Sequence, residues 1–214
     1  MRQETLQRRA ANTEADREVL LSTAAFLFGS RGYHDTSMRE IASHAGFSTG
    51  ALYERFDSKD AMYCEVVRTH FESIWQRLDR ALALHRDCLP RLVAITGAIF
   101  DHVTQHRSFL RLYETHPPTV SEPYQSKIRQ MQSEERARRA IIAVMAQGQD
   151  AGLMLAGEPE FLAEMYLAMV IRAAQNFLAG RQPLPEKEAI AELFLRGASV
   201  RRDIVRQLHK TSPA

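Results

Sequence analysis

The chain has 214 residues, 45% of them hydrophobic and 25% charged, which excludes a wholly disordered protein. Its longest apolar runs, 140–146 and 167–171, fall far short of the roughly 20 residues that a membrane span needs. The formal net charge is +2, and residues 1–60 carry eight Arg or Lys against nine Asp or Glu, so bulk charge announces no nucleic-acid partner. Arg2, Glu4, Arg8 and Arg9 open the chain without an apolar export segment. Cys64 and Cys88 are too few for a disulfide framework and are expected to stay reduced in a cytoplasm. The eight histidines are scattered singly, so neither a metal nor a cofactor is expected.

The periodicity is helical nearly throughout, and Pro90, Pro117, Pro118, Pro123, Pro159, Pro183 and Pro185 separate long blocks. The expected class is all-α. The first helix is predicted over 14–31, with Val19, Leu20, Ala24, Leu27 and Phe28 on one face, Thr13 as its cap and Gly32 as its stop. Residues 1–12, with Arg2, Arg8 and Arg9, read either as a disordered tail or as an arm that touches DNA.

Residues 36–59 are the most informative stretch. Ser37 followed by Glu40 is a capping box and starts a short helix. Ile41 and Ala45 face inward, Ala42 is small enough for a close crossing, and Gly46 supplies the positive φ of a tight corner. Ser48 caps a second short helix, 49–55, anchored by Leu52 and Phe56. Two short helices about a glycine corner form a helix-turn-helix, the arrangement that sets its second helix in the DNA major groove. Asp57-Ser58-Lys59-Asp60 then starts a long helix, 58–85, lined by Tyr63, Val66, Val67, His70, Ile74, Leu78 and Leu82. The expected domains are a three-helix head over 1–57 and a larger helical domain over 58–214, rigidly joined. Further helices are predicted over 90–105, 106–116, 123–151, 159–179 and 186–207.

Thr36-Ser37-Met38-Arg39-Glu40-Ile41-Ala42, Ala45-Gly46-Phe47-Ser48-Thr49-Gly50 and Leu52-Tyr53, with Phe56 and Ser58-Lys59 behind them, resemble the N-terminal domain of TetR-family transcriptional regulators. Phe26-Leu27-Phe28 and Gly32-Tyr33 resemble the family's first helix, and the strong match covers about residues 15–65. The resemblance implies a regulator, in most members a repressor, dimeric on a palindromic operator and released by a small apolar ligand in the C-terminal core.

Several residues are candidates for the DNA face. Arg39 can fork onto guanine or phosphate, and the resemblance implies a base contact. Ser37, Ser48, Thr49, Gly50 and Ala51 combine hydroxyls, backbone N–H groups and small size, which suit close approach to phosphates and thymine methyl groups. Tyr53 has a phenol that can donate to phosphate or pack in a core, and the resemblance implies phosphate. Arg55 suits phosphate or a surface ion pair. Lys59 is electrostatically misplaced at a helix N-terminus, and a nearby phosphate would explain it. Glu54 points to solvent or accepts from cytosine.

The C-terminal helices carry broad apolar stripes that need two buried faces. Tyr166, Val170, Phe177, Ile190, Phe194, Gly197 and Ala198 are the expected dimer contacts. The cavity that the resemblance implies would be walled by Trp75, Phe100, Phe109, Tyr113, Met145, Met165 and Met169, with Glu114, His116, His102 or Arg172 as polar anchors. No H-E-x-x-H, G-x-S-x-G or P-loop pattern supports an enzyme. A regulator without any ligand is the second expectation.

Overall fold

The structure is a computed structural model and describes residues 2–115, 119–132 and 136–198. Among the described residues the regular elements are helices: α1 (Arg2–Arg31), α2 (Met38–Ala45), α3 (Thr49–Tyr53), α4 (Lys59–Leu84), α5 (Cys88–Gln105), α6 (Arg107–Thr115), α7 (Tyr124–Gln132), α8 (Arg136–Asp150), α9 (Pro159–Leu178) and α10 (Lys187–Ala198). None of them is long and apolar enough to cross a membrane. The chain gathers into two compact units, each with its own core: Met1–Phe71 with Arg107–Ser133, and Glu72–His106 with Glu134–Ala214.

In the first unit, the inner face of α1 presents Leu20, Ala24, Leu27 and Phe28. They pack with Ile41 and Ala42 of α2, Leu52 of α3, Phe56, and Met62, Tyr63, Val66 and Val67 of α4. Each such Leu, Ile or Phe contributes about 1.5–3 kcal/mol by leaving water. Phe28, Tyr33, Tyr63 and Phe109 form an aromatic cluster with neighbouring ring centroids 5.2–5.9 Å apart. Phe109 belongs to α6, which crosses α1 at Gly29. A Cβ placed on Gly29 would lie 2.5 Å from the Ser108 carbonyl carbon and 2.6 Å from the Phe109 nitrogen, so only glycine permits this crossing. The boundary expected at 57/58 therefore falls inside the first unit, because α6 and α7 return to pack there.

The second unit is built from the later part of α4 and from α5, α8, α9 and α10. Its core joins Leu89, Leu92 and Ile95, Ile141, Val144 and Met145, Ala163, Tyr166 and Val170, and Ala191, Phe194 and Leu195. The fully buried Tyr166 phenol is satisfied, donating to the Leu92 carbonyl and meeting the Thr96 hydroxyl. Arg91 donates to the His85 carbonyl (2.8 Å) and to Gln147 (3.0 Å), and Gln147 donates to the Arg86 carbonyl (2.6 Å). This pins the α4–α5 connection onto α8.

One helix expectation is corrected, and two others run into residues outside those described. The first helix begins at Arg2, so Thr13 lies inside it instead of capping it. Of the helix expected across 123–151, Tyr124–Gln132 and Arg136–Asp150 are helical, and residues 133–135 lie outside the described residues. The last helix is described to Ala198, and residues 199–207 of the expected span lie outside the described residues.

Candidate nucleic-acid interface

The corner between α2 and α3 forms from local chemistry. The Ser37 hydroxyl accepts from the Glu40 N–H (3.2 Å), and the Glu40 carboxylate accepts from the Ser37 N–H (2.8 Å). The bonds that the carboxylate accepts from the Ser37 N–H and the Ser37 hydroxyl hold the Glu40 carboxyl below the usual glutamate range. At the other end, Gly46 has φ +78° and ψ 22°, which turns the chain so that the Phe47 N–H reaches the Ala42 carbonyl at 2.9 Å. Gly46 needs to be glycine for this reason. The Ser48 hydroxyl then accepts from the Ala51 N–H (3.1 Å) and opens α3. Ile41, Ala42 and Leu52 are buried, leaving the opposite sides of α2 and α3 to solvent.

The residues expected to meet DNA divide into three groups. Arg39, Gly50 and Tyr53 are exposed, Tyr53 by 52%. Among the described residues Arg39 has no hydrogen-bond or ion-pair partner, so its guanidinium is available. Nothing but the Ser48 hydroxyl lies near a Cβ built on Gly50, at 3.9 Å, which leaves the α3 backbone open to close approach. Ser37, Ser48, Thr49 and Ala51 form the second group. The two serines are spent on caps but remain exposed, while Thr49 and Ala51 are half-buried.

Arg55 and Lys59 form the third group, and their charged ends already have partners within the first unit. Arg55 donates to the Ala51 carbonyl (3.0 Å), pairs with Asp16 of α1 (3.3 Å) and lies over the Phe47 ring, 5.9 Å from its centroid. It braces α3 against α1. Lys59 donates to the Tyr33 carbonyl (2.9 Å) and the Thr36 carbonyl (3.0 Å), and its ammonium sits 4.3 Å from the Tyr33 ring centroid. Two carbonyls and an aromatic face offset the unfavourable helix end.

Asp60 is a residue that sequence reasoning missed. Its carboxylate accepts from the Tyr33 phenol, from the Ser121 N–H (2.9 Å) and from the Ser121 hydroxyl. Burial by itself would raise its pKa, but the bonds from Ser121 and Tyr33 outweigh burial and lower it. Burial and the Asp60 carboxylate push the Tyr33 phenol up. The first turn of α4 thus ties the α1–α2 connection to the segment entering α7, across separations of 27 and 61 residues. His44 is also exposed, with Nδ1 on the Glu40 carbonyl at 2.9 Å. Glu54 is exposed at the end of α3.

The other expected sites are distributed differently from the sequence expectation. Tyr166, Val170, Ile190, Phe194 and Ala198 were expected at a partner's surface, but they are buried in the second unit's own core. Phe177 is half-buried and Gly197 exposed. The apolar side chains that do face solvent are Phe161, Met165 and Ile171 on α9 and Leu193 on α10. Of the expected cavity wall, Phe100 and Met145 are buried in the second unit, Trp75 and Met169 are half-buried there, and Met165 is exposed. Phe109 and Tyr113 belong instead to the first unit's core. Of the polar anchors, His102 is buried and Arg172 exposed, His116 lies outside the described residues, and nothing is described of the Glu114 side chain.

Residues 20–66 match the model for bacterial regulatory proteins of the tetR family. The chain is similar to the HTH-type transcriptional activator FasR of Mycolicibacterium smegmatis, with 29% identity over 179 residues, 81% of this chain and 77% of that protein. It is also similar to the HTH-type transcriptional repressor KstR2 of Rhodococcus jostii, with 32% identity over 98 residues, 46% of this chain and about half (48%) of the repressor. The solved structure of the ketosteroid transcriptional regulator KstR2 of Mycobacterium tuberculosis has the same fold. Its TM-score is 0.64 at 23% identity, over 86% of this chain and 95% of that one.

Proposed function

We propose that the chain is a DNA-binding helix-turn-helix transcriptional regulator of the TetR family and a cytoplasmic repressor. It binds a palindromic operator as a dimer and leaves it when a small apolar ligand enters the second unit. The observation that carries the DNA part is the corner itself: a double-capped α2 with Arg39 exposed, Gly46 in the left-handed region, and an α3 with Tyr53 exposed.

Arg39 reads a base edge, Tyr53 donates to a phosphate, and the Gly50 backbone approaches the groove floor. Ser37, Ser48, Thr49 and Ala51 complete the contact through hydroxyls and small side chains. Arg55 and Lys59 hold the head in shape from behind. The exposed Phe161, Met165, Ile171 and Leu193 support a dimer, since a second copy would remove these four side chains from water at once. Gly197, also exposed, allows close approach of a neighbouring helix. A ligand that binds one dimer arrangement more tightly than the other lowers operator affinity by that difference. Trp75 and Met169, half-buried beside Phe100 and Met145, are the proposed contacts of its apolar body.

Selection of bound duplex from a random pool, at about physiological salt where specific and non-specific binding separate, tests this function. The expected result is a palindromic consensus with half-sites about one helical turn apart. Enrichment of a single unrepeated half-site would overturn the dimer, and no enrichment at all would overturn sequence-specific binding.

A further inference from the structure

In the second unit, the later part of α4 and the end of α5 hold a positive charge without a counter-charge. Arg77 of α4 donates from Nη2 to the Gln105 side-chain carbonyl, a neutral partner. Its Nε is buried and has no hydrogen-bond acceptor. Among the described residues Arg77 makes no ion pair. Nearby on α5 lie His102, 4% exposed, and His106, their ring centroids 4.6 Å apart. Burial, the neighbouring His106 and the Arg77 charge push His102 down to about 3, and burial and Arg77 lower His106 as well. Both rings are therefore neutral near pH 7, and a neutral imidazole still offers one ring N–H. Leu78, Phe100 and Val103 on the same two helices are buried.

The Arg77 side chain is half-buried, but its Nε–H is withdrawn from water without an acceptor, a cost that an oxyanion oxygen would offset. Arg presents a planar fork that suits carboxylate or phosphate oxygens in pairs.

We propose that Arg77, with His102 and His106, binds the oxyanion of a small ligand, its Nε donating to one oxygen and an imidazole N–H supplying a further bond. The buried Leu78, Phe100 and Val103 make the surroundings of that oxyanion apolar. The site itself stands on the second unit alone. Only its regulatory consequence rests on the proposed release from DNA by a ligand.

Isothermal titration of the full chain, without DNA, tests the site with three probes: octanoate, inorganic phosphate and the uncharged octanol. The expected result is binding of octanoate or phosphate at about millimolar concentration or below, weakened at least about tenfold in Arg77→Gln, the loss of a charge-assisted bond. Arg77→Lys, which keeps the charge and loses the fork, is expected to fall between. Octanoate without phosphate assigns a carboxylate ligand, and the converse assigns a phosphorylated one. No binding of either anion, octanol binding as tightly as octanoate, or equal affinity in Arg77→Gln overturns the proposal. Should Arg77→Gln fail to fold, the Arg77 Nε resonance of the labelled wild-type chain must still move with the bound anion, and a stationary resonance is equally fatal. Adding the bound probe to the protein–DNA complex separates the two ideas: binding without release keeps the site and removes the effector reading.

Discussion

Gly29→Ala isolates the crossing of α1 and α6. The added methyl carbon would sit 2.5, 2.6 and 2.7 Å from the Ser108 carbonyl carbon, the Phe109 nitrogen and the Ser108 oxygen. An ordinary contact is about 3.5–4.0 Å between carbon atoms, so α6 must move by about 1 Å. All three opposing atoms are backbone and cannot rotate away. Overpacking of this kind costs about 1–3 kcal/mol, against about 0.5–1 kcal/mol gained because alanine is the better helix former. The net expectation is a loss of about 1–2 kcal/mol, which lowers Tm by about 2–8 °C in a chain of this size. Urea unfolding followed by circular dichroism measures it. Gly97→Ala is the control, because its Cβ would meet only the flexible Lys187 side chain, at 3.1 Å. It is also helical and is expected to cost far less. If Gly29→Ala were as stable as the wild type, or more so, the backbone-on-backbone crossing would be wrong.

Three further predictions concern the head. Arg39→Ala removes an exposed side chain, so stability stays within about 0.5 kcal/mol. Discrimination at one operator base pair is expected to fall by about 1–3 kcal/mol, read from competition with single-base variants of the selected site. Lys59→Ala strips two carbonyls of their donor and is expected to destabilise the head by about 1–3 kcal/mol. The salt slope of DNA binding then stays unchanged, whereas a slope smaller by about one unit would return Lys59 to a phosphate. Asp60 has a lowered pKa in the folded chain, so its contribution to stability is present above the ordinary aspartate value of about 3.9 and is lost as pH falls through the lower folded value. Asp60→Asn is expected to flatten that acid limb of the stability curve below about pH 4, and an unaltered limb in urea titrations would refute the clasp with Tyr33 and Ser121.

What the residues determine by themselves is the chemistry that acts over a few positions. Ser37 and Glu40 are three residues apart, Gly46 closes the helix it follows, and Ser48 caps the turn it begins. Such bonds need no distant partner, and the α2–α3 corner was legible for that reason. The same holds for the existence of the long helices, whose spacing survives any packing. Tertiary structure alone decided what crosses the chain. Nothing local shows that the Tyr33 and Thr36 carbonyls reach Lys59, or that the Asp16 carboxylate reaches Arg55. Periodicity showed that α9 is apolar on several sides, but not which side the chain would keep. Tyr166 and Val170 went inward because their own unit supplies the partners, leaving Phe161 and Met165 to solvent. A hydrophobic stripe states that a face must be buried, and only the assembled core determines against what.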